Sequence, residues 1–217
     1  MPKQTFLNLP EEKRSNFVNT ALREFALNDY QNASVTSIVR ELGIAKGSVY
    51  QYFENKKDLY FYLIELAGNR KLEATGELLA SPGDDFFKWY RKLHVSSLVY
   101  DIQYPVEGAL LRNVSKEENN EEIGNMSLHN KQEAITFYKH VLKQHYNSGL
   151  IHTKPSYTAF SYLLVQTGLG LMDMLQIQFN FSLRECAKNN TSPEVSEEDI
   201  KSMVKKVVKS LQQNSIH

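Results

Sequence analysis

An all-α fold is predicted for this chain, with a small N-terminal helical domain followed by a larger C-terminal helical domain, and three observations carry that prediction. Glycine and proline number only 10 and 6 in 217 residues, a composition that suits helices. Apolar residues recur at helical spacing in segment after segment, and no stretch of any length alternates as a half-buried strand would. Capping and breaking residues fall between those segments rather than inside them. Hydrophobic residues make up 41% of the chain and charged residues 23%, which provides for a core and excludes a disordered polymer.

The first predicted helix starts behind Pro10. Glu11 and Glu12 complement its dipole, and Phe17, Val18, Ala21, Leu22 and Phe25 form its apolar side. It is expected to close near Asn28 and Asp29, residue types that tolerate left-handed backbone. Ser34 can cap a second helix with Ile38, Val39 and Leu42 on one face, and Gly43 supplies the tight turn that follows. A third helix, Lys46 to Phe53, turns Val49 and Phe53 inward and leaves Lys46, Ser48, Gln51 and Tyr52 free to face outward. Two short helices joined by a glycine turn make a helix-turn-helix. Asn55 can cap a long fourth helix, Lys56 to about Leu79, which the Ser81-Pro82-Gly83 breaker ends. The chain is accordingly divided into residues 1–55 and 56–217. Further helices are expected over 84–104, 106–114, 121–148, 156–179 and 196–213, separated by Pro105, the polar run 115–120, residues 149–155 and the stretch 189–193.

Charge alone does not announce a nucleic-acid partner. Basic and acidic residues both number 25, a formal net charge of +0, and residues 1–60 hold eight bases against seven acids. Any electrostatic case for DNA rests on where charges sit. Cys186 is the only cysteine, so no intrachain disulfide can form and a reducing compartment is the simpler reading. The first residues lack the apolar stretch of a secretory signal, and no run of about 18 apolar residues is present to span a bilayer. A cytoplasmic protein with no membrane partner is expected. No catalytic set, cofactor site or metal site is found: His129 and Glu133, four apart, are two potential ligands without a third, and His140 and His145, five apart, do not share a face. Glu117, Glu118, Glu121 and Glu122 read as an exposed loop and helix start.

The stretch from Ser34 to Phe53, continued by Asn55-Lys56-Lys57-Asp58-Leu59, resembles the DNA-binding signature of the TetR family. The match combines Ile38 in the second helix, Gly43 in the turn, Lys46-Gly47 opening the third helix, Tyr50-Gln51-Tyr52-Phe53 ending it, and Lys56 to Leu59 opening the fourth. The chemistry agrees, because a recognition helix needs small residues at its leading turn to approach the major groove, and Lys46-Gly47-Ser48 offers a cation, bare backbone and a short hydroxyl. Tyr50 and Tyr52 can bond phosphates and Gln51 a base edge, while Lys56 stands at a helix N-terminus that already favours an anion. The resemblance adds the start of the second helix, Ser34 and Val35, to the DNA-binding set. The sequence departs from the family pattern at Ala33 and Ala45, where Thr and Ser are common, at Asp29, often Gly, and at Gln51, often His or Tyr.

Beyond roughly residue 65 the resemblance is one of helix pattern. Ser148-Gly149-Leu150-Ile151 and Gly168-Leu169-Gly170-Leu171 echo the region before and within the family's dimerising helix. It implies a homodimer through Leu164, Gly168, Leu171, Met172 and Leu175 together with Met203, Val207 and Leu211 on the last helix. It also implies a small-molecule cavity, for which Trp89, Leu93, His94, Phe137, Tyr138 and Gln166 are the candidates. Each of these residues taken singly also reads as plain core. The function implied is a repressor that binds an inverted-repeat site on double-stranded DNA as a homodimer and is released by an unidentified hydrophobic or amphipathic effector. One alternative is a DNA-bound adaptor or architectural protein of the same fold with no effector. Another is a small all-α enzyme, which would need a polar, convergent constellation that the sequence does not display.

Overall fold

Each expected helix forms close to its predicted span, and two short helices form that were not expected. The structure, a computed structural model, describes residues 1–147 and 156–215, so the Ser148-Gly149-Leu150-Ile151 echo lies outside the described residues. Among these the helices are α1 (Gln4–Leu7), α2 (Glu11–Leu27), α3 (Val35–Leu42), α4 (Lys46–Tyr52), α5 (Lys56–Ala80), α6 (Phe86–Gln103), α7 (Pro105–Val114), α8 (Met126–Asn147), α9 (Tyr157–Phe179), α10 (Leu183–Asn189) and α11 (Glu197–Ser215). The new ones are α1 and α10. No strand occurs among the described residues, only an isolated bridge between Asn120 and Gly124. The described residues divide into two compact units, between which the chain passes several times, first inside α5: Met1–Arg70, Tyr104–Ser127 and Leu183–Ser192 in one, Lys71–Gln103, Leu128–Ser182 and Pro193–His217 in the other.

In the first unit α2 packs against α3 and α7, and α10 packs against both α2 and α7. Phe17, Leu22, Phe25, Ile38, Val49, Phe53, Leu59 and Leu63 are each at most 2% exposed and form its core. Helix α2 does not end as expected. Asn28 is extended, at φ −133 and ψ 145, rather than left-handed. The orphan carbonyls of the last turn are instead met by side chains: Asn113 Nδ2 of α7 donates to Phe25 O and Ala26 O at 3.1 and 3.0 Å, and Arg184 of α10 donates to Leu27 O at 2.8 Å. Side chains distant in sequence thus take the place of a local backbone cap. Ser34 does cap α3, its Oγ accepting from Ser37 N, and Gly43 is left-handed at φ 65, a conformation that glycine adopts without steric penalty.

In the second unit α11 packs against α6 and α9. Trp89 Nε1 donates to Leu78 O at 2.5 Å, and Lys71 Nζ reaches both carboxylate oxygens of Asp101 at 2.7 and 2.8 Å, so α5 and α6 are joined by hydrogen bonds and an ion pair. Helix α9 is apolar around much of its circumference. The residues expected on a dimer face, Leu164, Leu171, Met172 and Leu175, are 0 to 5% exposed inside the protomer, as is Met203 of α11. Val207 and Leu211 are half-buried. Gly168 faces the His94 ring so closely that an added Cβ would lie 2.5 Å from Cε1. Leu164, Leu171, Met172, Leu175 and Met203 thus belong to the intrachain core, Gly168 packs on His94, and Val207 and Leu211 remain partly exposed. The apolar residues that α9 leaves exposed are Tyr162, Leu163, Leu169, Met174 and Ile177, which helical periodicity places on the opposite side. Cys186 is buried, and burial pushes its thiol up from the ordinary range. No helix among the described residues is long and apolar enough to cross a membrane.

Candidate nucleic-acid interface

The short helix α4 is held from below by two side chains, Val49 at 1% and Phe53 at 0% exposure. Its leading residues Lys46 and Gly47, together with Tyr50 and Gln51, are exposed, and Ser48 is half-buried. Gly47 is informative because nothing in the chain requires it. Its φ is not positive, and a Cβ built there meets no atom within 4 Å. Neither backbone conformation nor internal packing asks for a glycine at this exposed position. Ala45 is the N-cap and makes no side-chain bond to the helix, so the leading amides have no hydroxyl cap competing for them.

The other expected contact residues are placed less uniformly. Ser34 is half-buried, with its hydroxyl engaged as the α3 cap and its amide bonded to Glu24 Oε1 at 2.8 Å. Val35 is only 7% exposed and contributes to the core. The Tyr52 ring is half-buried, packed edge-on against Phe17 at 5.6 Å and beside Phe6 at 5.8 Å. Lys56 does not project freely: its ammonium donates to Gln31 O at 3.2 Å and lies 4.6 Å from the centre of the Tyr30 ring. Burial, against the pull of nearby carboxylates led by Glu122, lowers its pKa from the ordinary lysine range. Asn55 caps α5 as expected, its Oδ1 accepting from Asp58 N at 2.9 Å.

Two contributors to this site escaped the sequence reading. The first is the N-terminal segment. Lys3 N donates to Tyr52 O at 2.8 Å, Lys3 Nζ to Tyr50 O at 3.0 Å, and Thr5 Oγ1 to Gln51 O, so three consecutive carbonyls at the end of α4 are satisfied from outside the helix. Phe6, fully buried, sits among Phe17, Tyr52, Phe53 and Tyr62 with ring centres 5.0 to 5.8 Å away. The only available signal was a lone aromatic ahead of Pro10.

The second is the connection between α7 and α8. Glu118, Glu121 and Glu122 are exposed as expected, but Glu117 is 8% exposed and accepts from Tyr30 N at 2.5 Å. Glu122 accepts from the Tyr30 hydroxyl, and Lys57 Nζ donates to Glu122 O at 2.6 Å. A polar cavity of about 650 Å³ lies here, bordered by Tyr30, Tyr50, Lys56, Lys57, Asn120 and Glu122.

In the second unit, five of the six residues named for a small-molecule cavity lie on α6 and α8 and pack closely or line that cluster. Trp89 lies 6.1 Å from both Phe137 and Tyr138, Tyr90 lies 4.3 Å from His94, and His94 Nε2 is 3.2 Å from the Tyr138 hydroxyl. Leu93 is 7% exposed; Gln166, on α9, is half-buried. Burial, reinforced by the charge of Lys71, drives the His94 pKa down to about 4. No group of three or more His, Cys, Asp or Glu is placed to hold a metal ion among the described residues.

Comparison with known proteins agrees with this geometry. Residues 17–63 match the family model for bacterial regulatory proteins of the tetR family. HTH-type transcriptional regulators of Staphylococcus aureus strains USA300 and NCTC 8325 / PS 47 are 30% identical over 138 residues, covering 63% of this chain and 67% of theirs. A TetR family transcriptional regulator from Chloroflexus aurantiacus J-10-fl superposes with a TM-score of 0.77 at 25% identity, over 99% of this chain and 98% of that one. A γ-butyrolactone receptor described as ArpA-like shares the fold, with a TM-score of 0.58 at 17% identity over 94% and 98% of the two chains. With a buried-footed, exposed-tipped second helix in its helix-turn-helix and relatives of this kind, the chain belongs to the TetR family of DNA-binding transcriptional regulators.

Proposed function

We propose that the protein is a ligand-responsive repressor that binds an inverted-repeat operator as a homodimer and leaves it when a hydrophobic or amphipathic small molecule binds. Residues 1–55 serve as the DNA-binding domain and 56–217 as the effector and dimerisation domain. The observation that carries the reading is the leading turn of α4, exposed and opened by a glycine the chain itself does not need. Lys46, Gly47, Ser48 and Gln51 then face the major groove, with Tyr50, Tyr52 and Lys56 at the flanking phosphates and the start of α3, Ser34 and Val35, beside the duplex. Twofold symmetry would set two such turns about 34–36 Å apart, on one face of the duplex.

A homodimer is supported by the exposed apolar side of α9. Leu163, Leu169, Met174 and Ile177 are 36 to 81% exposed, and contiguous apolar surface of this kind marks an interface. That side replaces the one built on Leu164, Gly168, Leu171, Met172 and Leu175. A ligand response is supported by the family and by the name of one structural neighbour, a γ-butyrolactone receptor. One observation favours the adaptor reading instead: Trp89, Phe137 and Tyr138 pack ring against ring where the effector was expected.

Selection of bound DNA from a random pool, repeated with Lys46→Ala, Tyr50→Ala and Lys56→Ala, tests the assignment. The wild type should enrich an inverted repeat, and each variant should lose affinity; Lys46→Ala, which removes a free cation, should also give a shallower salt dependence. Unchanged affinity and salt dependence in all three would overturn the assignment.

A further inference from the structure

Outside the aromatic cluster, a groove of about 640 Å³ runs between the end of α5, α6 and α11. Its size is that of a small-molecule site. Leu78, Val95 and Val99 give it an apolar lining, and Arg91, Lys92 and Lys205 stand along it. These three cations have no carboxylate partner among the described residues, although the whole chain carries as many acids as bases. The fourth cation of the groove, Lys201, is already held by Glu197 at 3.0 Å and Glu198 at 2.8 Å, and Glu197 is the one acid in the lining. An apolar trough with three uncompensated positive charges is complementary to a molecule with a hydrocarbon body and an anionic head.

We infer that this groove binds an anionic amphiphile, a fatty carboxylate or an acyl compound with a similar anionic head, its tail along Leu78, Val95 and Val99 and its head among Arg91, Lys92 and Lys205. A neutral alcohol of the same chain length satisfies the trough but not the cations. A fatty ammonium meets like charge. The stems of the lysines and the arginine extend the apolar contact while their heads stay in water, so tail and head are recognised by the same side chains. The site is separate from the cavity expected around Trp89, His94 and Tyr138. Its occupancy does not depend on the repressor reading; only the consequence of occupancy for DNA does.

The test is calorimetric titration of the full chain with laurate, dodecanol and dodecylammonium, each below its aggregation concentration. Laurate should bind saturably and the other two at least about tenfold more weakly, a difference of head-group electrostatics rather than of tail. The double variant Arg91→Glu/Lys205→Glu should weaken laurate by about tenfold or more. The control Lys139→Glu/Lys143→Glu changes the net charge equally at exposed positions on α8 and should leave laurate binding within about twofold. Equal binding of laurate and dodecanol, equal loss in both double variants, or no binding of laurate to the folded wild type would overturn the inference. Laurate that binds with this selectivity yet leaves DNA affinity unchanged would uphold the groove and count against laurate-triggered release.

Discussion

Replacing Gly47 with alanine should raise stability and lower DNA affinity, two effects of opposite sign from one methyl group. The backbone at Gly47 is ordinary helix with negative φ, and the added Cβ meets nothing within 4 Å. The substitution therefore removes freedom from the unfolded chain without strain in the folded one, a gain of about 0.4–1 kcal/mol. For a chain of this length that is a rise of about 1–4 °C in thermal midpoint. In the complex, the methyl occupies space at the leading turn of α4, where helix and base edges must approach closely. Overfilling a fitted contact costs about 1–3 kcal/mol, a loss of about fivefold to 150-fold in affinity. Scanning fluorimetry supplies the first quantity, and fluorescence anisotropy on a selected operator the second. Loss of stability would refute the account of the backbone. Undiminished affinity in a protein at least as stable would refute the placement of α4 against DNA.

Phe6→Ala removes a fully buried ring from the aromatic group beneath α4 and should lower the free energy of unfolding by about 3–5 kcal/mol, read from the urea midpoint and accompanied by loss of operator binding. Glu117→Ala deprives Tyr30 N of its acceptor. An unsatisfied buried amide costs about 1–3 kcal/mol, so the thermal midpoint should fall while Glu117→Gln, which keeps a carbonyl acceptor, retains most of the stability; equal losses would show that the hydrogen bond is not what matters. His94 has a folded pKa of about 4, lowered from 6.5, so the unfolded chain takes up its proton first. Its contribution to stability is full above pH 6.5 and lost as pH falls toward 4, a decline of about 3 kcal/mol. Denaturation midpoints for wild type and His94→Gln should therefore converge with acidification across that window, and parallel curves would rule the linkage out.

What could be read in advance was what the chain encodes locally. Ser34, Gly43, Asn55 and the breaker ending at Gly83 each act within a few residues of themselves, and α3, α4 and α5 formed where those residues placed them. Helix α1 is four residues long and owes its place to Lys3, Thr5 and Phe6 contacting residues more than forty positions away. Glu117 reads as exposed from the sequence because its neighbours there are polar, whereas its partner Tyr30 lies 87 positions upstream. The inward side of α9 is not legible in the sequence for a related reason. Leu163 and Leu164 are chemically alike, yet one is 51% exposed and the other 0%, because only the packing of α6 and α11 decides which side is covered. Periodicity locates an amphipathic face where polar residues mark its back; a helix apolar on both sides offers no such mark.

The electrostatics of the interface follow from the same long-range contacts. Of the lysines near α4, only Lys46 is exposed with no intramolecular partner among those described; the ammonium of Lys56 is shared between Gln31 O and the Tyr30 ring, and that of Lys57 is bonded to Glu122 O. A phosphate that recruits either of these must displace a carbonyl already in place, and Glu122 on the same border opposes its approach. Each lysine that stays bound internally removes about 0.9 from the salt slope that counter-ion release would give. On the proposed interface, neutral donors would then carry a larger share of the contact: the uncapped amides opening α4 and the hydroxyls of Ser48 and Tyr50. Such donors depend on position rather than on charge, so on this proposal a chain with no net charge can bind DNA through the small side chains at the tip of α4 rather than through the count of its cations.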